Sequence, residues 1–263
     1  LEHTHLYMGP FEILQHCYEL QESGSKVEFL TVSDGSSADG SMSFGWKCVL
    51  SDGTPVAEAC GPAYGARATS YRSEGYGLMS ATLFFVHLFR FCDTSPVGSF
   101  RFVSDNLGLI RKITQLLQYT EHFPNITLQP DWDLIREIQM SVQALGRPAL
   151  FSHVKGHQDD HHEYHELSLE ARLNVDADLL AGNFRKSDSS HRPLIPRVNS
   201  NPAQLRIEGK TIPGSYRSAI RRATSFTPLL SYISRKNDWS SDIIDMIDWD
   251  VHSAALRSCP TRA

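Results

Sequence analysis

Apolar positions along the chain fall into blocks whose period switches between two and about 3.6 residues, the spacings of a strand face and a helix face. A short helical pattern (Phe11, Ile13, Leu14, Tyr18) ends at the turn-forming run Glu22 to Ser25 and predicts an N-terminal helical arm, residues 1–26, outside the core. Three strands in a row are predicted next. Val27 to Ser33 reads as a buried strand ending in Asp34-Gly35-Ser36, while Ser41 to Leu50 and Pro55 to Cys60 flank the hairpin turn Ser51-Asp52-Gly53-Thr54. Ser70 to Phe91 then carries apolar residues at helical spacing (Leu78, Leu83, Val86, Phe89) behind a Thr-Ser pair able to cap a helix.

A fourth strand, Phe100 to Val103, ends in Ser104-Asp105-Asn106 and passes into a helix through Leu107, Ile110, Ile113 and Leu117. Asp131 to Leu145 is a further helix, Pro148 to Lys155 a fifth strand, and Leu167 to Phe184 the last helix of this unit. The order βββ-α-β-α-α-β-α is that of an α/β protein with a mixed five-stranded sheet, its first three strands an antiparallel meander. Beyond it the texture changes. A Ser-, Pro- and Arg-rich linker, 188–203, leads to a small module, 204–263, with a hairpin (Gln204 to Ile212 about Glu208-Gly209), a basic helical segment (Ser215 to Ile233) and an acidic one (Ser241 to Leu256).

Composition narrows the class. The 263 residues, 41% hydrophobic and 21% charged, are those of a globular protein, not a disordered, collagen-like or coiled-coil chain. The longest apolar stretch, Leu83 to Phe91, is cut by His87 and Arg90, and no secretory signal is visible, so an intracellular location, cytoplasmic or nuclear, is expected. Five scattered cysteines favour neither a disulfide framework nor a cysteine zinc site. The first residue is Leu1, which points to a piece of a longer polypeptide.

The net charge of −5 argues against a polyanionic partner until it is divided. Between Arg185 and Lys236 eleven basic residues face only Asp188 and Glu208, a local balance of +9, so the remainder carries −14. A basic surface for a polyanion beside a separate acidic site fits that split, as does a solvated surface with no partner.

Four acidic residues account for the acidic site. Asp34 lies near the end of the first strand, Glu74 in the first turns of the long helix, Asp105 at the end of the fourth strand, and Asp178 within the last helix. Parallel neighbours present their carboxyl ends at one edge of a sheet. Carboxylates gathered there repel unless cations neutralise them, and hard oxygen ligands suit Mg²⁺ or Mn²⁺. Two such ions are a known solution for in-line displacement at a phosphodiester.

Five strings in this order carry a resemblance: Ser33-Asp34-Gly35-Ser36, Ser73-Glu74-Gly75-Tyr76-Gly77-Leu78, Ser104-Asp105-Asn106, Val154-Lys155-Gly156-His157, and Asn174-Val175-Asp176-Ala177-Asp178-Leu179-Leu180-Ala181. Together they resemble a type 1 ribonuclease H over Val27 to Phe184, which implies a ribonuclease H-like fold, a nuclease domain at 27–187, and cleavage of the RNA strand of an RNA–DNA hybrid with two divalent ions. By resemblance Asp34, Glu74, Asp105 and Asp178 are the metal ligands and His157 is the catalytic histidine that aids proton traffic or product release. Ser36, Asn106, Asn174 and Lys155 are the expected substrate contacts. The non-Met start and the extra flanking sequence resemble retroelement polyproteins, with an upstream reverse transcriptase domain as the implied partner.

Asp176 competes with Asp178 for the fourth carboxylate position. The spacing from Asn174 and the Leu180-Ala181 pair favour Asp178, with Asp176 on another helix face. Gln158 to Arg172 departs from the resemblance as an acid- and histidine-rich insertion, in which His157, His161 and His165 would share a face if helical and hold a transition metal, or else form a solvated loop. Glu121 to Trp132 has no Lys or Arg, so a basic handle is absent there and the Arg185 to Lys236 stretch is the candidate for substrate grip. The alternatives from other classes are a catalytically inactive nucleic-acid-binding module, or another nuclease on the same fold of the integrase or resolvase kind.

Overall fold

The computed structural model describes residues 4–65, 68–119, 129–187, 205–207, 209–212, 214–248 and 251. It divides into two compact units, Leu1–Gly214 and Ser215–Ala263. In the first, β1 (Thr4–Leu6) and α1 (Pro10–Glu22) lead into β2 (Glu28–Ala38), β3 (Ser41–Leu50) and β4 (Pro55–Pro62). Then follow α2 (Ser70–Phe91), β5 (Ser99–Ser104), α3 (Leu107–Leu117), α4 (Trp132–Leu145), β6 (Ala149–His153) and α5 (Leu169–Ser187). The sheet has six strands in the order β1-β4-β3-β2-β5-β6; β2, β5 and β6 run parallel and the remaining pairs are antiparallel.

The sixth strand corrects the five-stranded expectation, and the arm explains it. Thr4, His5 and Leu6 pair with Ala59, Glu58 and Ala57, and α1 buries Ile13, Leu14 and Cys17 in the main core. The sequence pattern of α1 is helical as expected, but three apolar side chains on one face have to be covered, and here the sheet unit covers them.

Two layers of side chains enclose the sheet. On one face a core of Phe29, Phe85, Phe89, Phe100 and Phe102, rings 4.9–6.3 Å apart, packs α2 and α4 against the strands. On the other, Leu30, Val32, Val49 and Val103 meet Leu167, Ala171 and Leu173 at the start of α5. Alternation along β2 sends Phe29 to the first face and Leu30 to the second. Helix α5 lies directly on β3, because a Cβ at Gly45 would overlap the Ala177 carbonyl.

Thr69 caps α2 by accepting from the Arg72 amide at 3.2 Å. Arg72 is itself fully buried and forks onto Asp133 at 2.6 and 3.0 Å and onto Asp131 at 2.9 Å, tying α2 to the N-terminus of α4. Its Nε also donates to the Tyr64 carbonyl.

A two-stranded hairpin, β7 (Arg206–Ile207) with β8 (Lys210–Thr211), groups with this first unit, so the division falls at Ser215 where the sequence suggests residue 204. The linker 188–203, Glu208 at the hairpin turn, most of the handle segment (120–128) and residues 252–263 lie outside the described residues. The second unit holds α6 (Tyr216–Arg221), a π-helical turn (Arg222–Phe226), α7 (Thr227–Asn237) and α8 (Ser241–Asp245). No helix among the described residues is long and apolar enough to cross a membrane.

Candidate metal centre

Strands β2 and β5 keep parallel register as far as Val32 opposite Val103 and then part. Strand β5 ends, whereas β2 runs on beside β3 to Ala38, so Asp34 lies within a strand, not at its end. Asp34 and Asp105 each stand two residues past that last parallel pair, Asp34 on β2 and Asp105 just beyond the end of β5. Helix α2 delivers Glu74 into the gap. Its first turns approach β2 so closely that a Cβ at Gly35 would overlap the Glu74 amide, and only glycine fits there. Ligand oxygens of Asp34, Glu74 and Asp105 all lie within 4.8 Å of one another.

The hydrogen bonds that other residues donate to this triad are neutral. The Gly35 amide donates to Asp34 at 2.6 Å, the Asn174 amide to its other oxygen at 3.3 Å, the Ser104 hydroxyl to Glu74 at 2.7 Å and the Asn106 amide to Glu74 at 3.4 Å. Asp34 and Glu74 are 6% and 5% exposed. Burial, then the Asp105 charge, pushes Asp34 up to about 7, against the pull of the Gly35 amide. The same two causes push Glu74 up to about 9.

Two buried carboxylates and a half-buried third held together this way lack the compensation that clustered acids need, and their oxygens are the hard ligands of Mg²⁺ or Mn²⁺. Beside them the Asn174 Oδ1 is buried with no hydrogen-bond partner, an acceptor left over at the edge of the cluster. Gly156 closes the other side: a Cβ there would overlap the Asp105 carboxylate. The donor set, the orphan acceptor and the tight packing fit a divalent cation.

Asp178 stands apart from the tight group. It is exposed on α5, raised by burial of its carboxylate, lowered by His157, and raised by Asp159 and Asp105. Asp178 also contributes to raising Asp34, so it is electrostatically part of the centre. Its rival Asp176 is engaged elsewhere, with the Lys47 ammonium at 2.9 Å and the Tyr164 hydroxyl at 3.1 Å.

The expected substrate contacts divide. Lys155 and His157 are exposed at the end of β6, with His157 in the left-handed region at φ 52°. Ser36 accepts from the Arg185 guanidinium at 2.9 Å. Asn106 caps α3, accepting from the Leu109 amide at 3.0 Å, while its amide reaches Glu74. Asn174 is only 3% exposed, so its place is behind Asp34 as a support and not on a substrate-facing surface.

The histidine insertion folds as two 3₁₀ turns, Gln158–Asp160 and Tyr164–Glu166, not as the α-helix that would align His157, His161 and His165. Among the described residues, the triad is the only group of three or more His, Cys, Asp or Glu close enough to share an ion. Sequence reading missed Ser104 and Gly156 as parts of the centre. Both sit beside residues it did choose, Asp105 and His157, so adjacency was the available signal.

No protein-family model matches the chain, and no curated protein sequence matches it. Solved structures do. The N-terminal RNase H domain of a Mycobacterium tuberculosis protein, fused to maltose-binding protein, is 16% identical at a TM-score of 0.41, over 61% of this chain and 95% of that one. A compost-metagenome RNase H1 in complex with an RNA/DNA hybrid is 14% identical at a TM-score of 0.42, over 60% and 96%. The RNase H domain of the foamy virus PFV is 14% identical at a TM-score of 0.46, over 62% and 98%. The antiparallel meander, the parallel strands added beside it and the flanking helices make this a ribonuclease H-like fold.

Proposed function

We propose that the chain is a divalent-metal-dependent endonuclease that hydrolyses the RNA strand of RNA–DNA hybrids. The observation that carries this reading is the triad of buried Asp34 and Glu74 with half-buried Asp105, supported from outside the cluster by neutral hydrogen-bond donors and placed at the mouth between two parallel strands. Asp34, Glu74, Asp105 and Asp178 would hold two Mg²⁺ or Mn²⁺ ions. When bound, such ions supply Lewis acidity to the scissile phosphate and to the attacking and departing oxygens.

The protein's own groups do the rest. Ser104 and Asn106 fix the Glu74 carboxylate, and Gly35 and Asn174 fix that of Asp34, so the ligand oxygens are preorganised on rigid elements. His157, exposed at the rim and close enough to Asp178 to favour its charged form, is placed to accept or donate a proton as product leaves. Lys155 beside it offers a cation to the phosphate backbone. The reading includes an origin in a retroelement polyprotein, downstream of a reverse transcriptase.

The test is incubation of purified protein with labelled RNA–DNA hybrid, RNA duplex and DNA duplex, each with Mg²⁺, Mn²⁺ or chelator. Metal-dependent cutting confined to the RNA of the hybrid, and lost in Asp105→Asn, is the expected result. Binding without cutting in either metal would make the chain a binding module, and cutting of DNA would make it a different nuclease of this fold.

A further inference from the structure

Asp176 and Asp178 stand two residues apart on α5 with different neighbours. Asp178 is coupled to the acidic centre, whereas Asp176 anchors a chain of polar contacts. Lys47, 2.9 Å from Asp176, is also 3.7 Å from Glu58, and Glu58 accepts from the Tyr7 hydroxyl at 2.6 Å. At the other end, the Tyr164 hydroxyl donates to Asp176 at 3.1 Å. This polar rail begins beside β1, crosses β4, β3 and α5, and ends in the 158–168 insertion.

The part of the insertion that precedes α5 follows His157, whose left-handed backbone is disfavoured for a residue other than glycine, and leads to buried Leu167. Its internal bonds, Gln158 Nε2 to the Lys155 carbonyl at 2.7 Å, the His162 amide to the Gln158 carbonyl at 3.1 Å and the Glu163 amide to the Glu166 carboxylate at 3.3 Å, fix its shape. They do not fix its attitude to the helix. The Tyr164 hydroxyl does, because it joins the outer turn of the insertion to α5 only two residues from Asp178. His157 and Asp159 lie at the inner end of the same segment, where the Gln158–Asp160 turn contacts α5.

We propose that Tyr164 is a positioning residue: through Asp176 and Lys47 it holds the insertion against α5 and sets where His157 and Asp159 stand relative to Asp178. The proposal deepens the nuclease reading, and its kinetic part rests on that reading.

Tyr164→Phe deletes one hydroxyl and keeps the ring. Amide hydrogen exchange across 157–168 is expected to rise about fivefold, the worth of one net hydrogen bond, with the sheet unchanged. On the hybrid, kcat should fall by about the same factor while KM stays within about twofold. Tyr7→Phe, which removes the hydroxyl at the far end of the rail, should leave both measurements unchanged. In a His157→Ala background, Tyr164→Phe should cause no further fall in kcat. Unaltered exchange in Tyr164→Phe overturns the anchor whether or not the chain is a nuclease. Raised exchange in a chain that cuts nothing upholds the anchor and removes the nuclease reading alone. Losses of kcat that multiply in the double variant, or an equal loss in Tyr7→Phe, overturn the route through His157.

Discussion

Asp34→Asn is expected to stabilise the metal-free protein while disabling it. Burial and the Asp105 charge raise Asp34 from 3.8 to about 7, so its folded value lies above its unfolded one. Ionisation then favours the unfolded chain, and stability present at low pH is lost as pH rises from about 4 to about 7, with no further loss beyond. About three units at roughly 1.36 kcal/mol each give about 4 kcal/mol at pH 8, of which about 2.5 kcal/mol develops between pH 5 and pH 8. The substitution removes this penalty and keeps the side-chain shape, and its oxygen can still accept from the Gly35 amide. Urea unfolding in chelator should show a gain of about 2–4 kcal/mol at pH 8 that shrinks to about 1–2 kcal/mol at pH 5. With Mg²⁺ at a hundred times its Kd, the parent should gain about 2.7 kcal/mol that the variant lacks. A variant less stable than the parent at pH 8 in chelator, or a gain indifferent to pH, would refute the claim that the three carboxylates are held together without compensation.

Three further outcomes test the packing around the centre. Gly156→Ala should unfold at nearly the parent temperature yet cut the hybrid at least about tenfold more slowly, since the new methyl displaces the Asp105 carboxylate. Gly45→Ala should cost about 1–3 kcal/mol in denaturant unfolding, because the methyl meets the Ala177 carbonyl of α5, a backbone atom with no freedom to yield. Arg72→Met should cost about 3–5 kcal/mol by leaving Asp131 and Asp133 without their buried cation, and Arg72→Lys should recover little of it, because an ammonium cannot fork onto both.

Much of the fold was legible because its elements bury one face each. Strands β3 and β4 and helices α2 and α4 follow their hydrophobic periods closely, and Asp105 falls where the pattern puts it. Strand β2 was cut short because its apolar run stops at Ser33, whereas its pairing with β3 continues through small and polar residues to Ala38. Period alone does not report a ladder held by backbone hydrogen bonds. The first 26 residues were misjudged for a related reason: three residues of edge strand carry too little pattern to register, and what Ile13 and Cys17 pack against is decided far along the chain. The triad was legible from types and positions of residues. The role of Asn174 was not, since a buried support and an exposed contact look alike in sequence.

The pairing of β1 with β4 moves the boundary of the smallest fragment that should behave well in solution. A chain cut at Val27, where the nuclease-like pattern begins, would strip Ala57, Glu58 and Ala59 of their partners and leave all eight residues of β4 as one continuous unpaired edge. It would also uncover the surface on which Ile13, Leu14 and Cys17 rest. Long bare edges recruit other strands, so such a fragment is expected to self-associate and one beginning at Thr4 is not, although both carry every residue of the acidic centre.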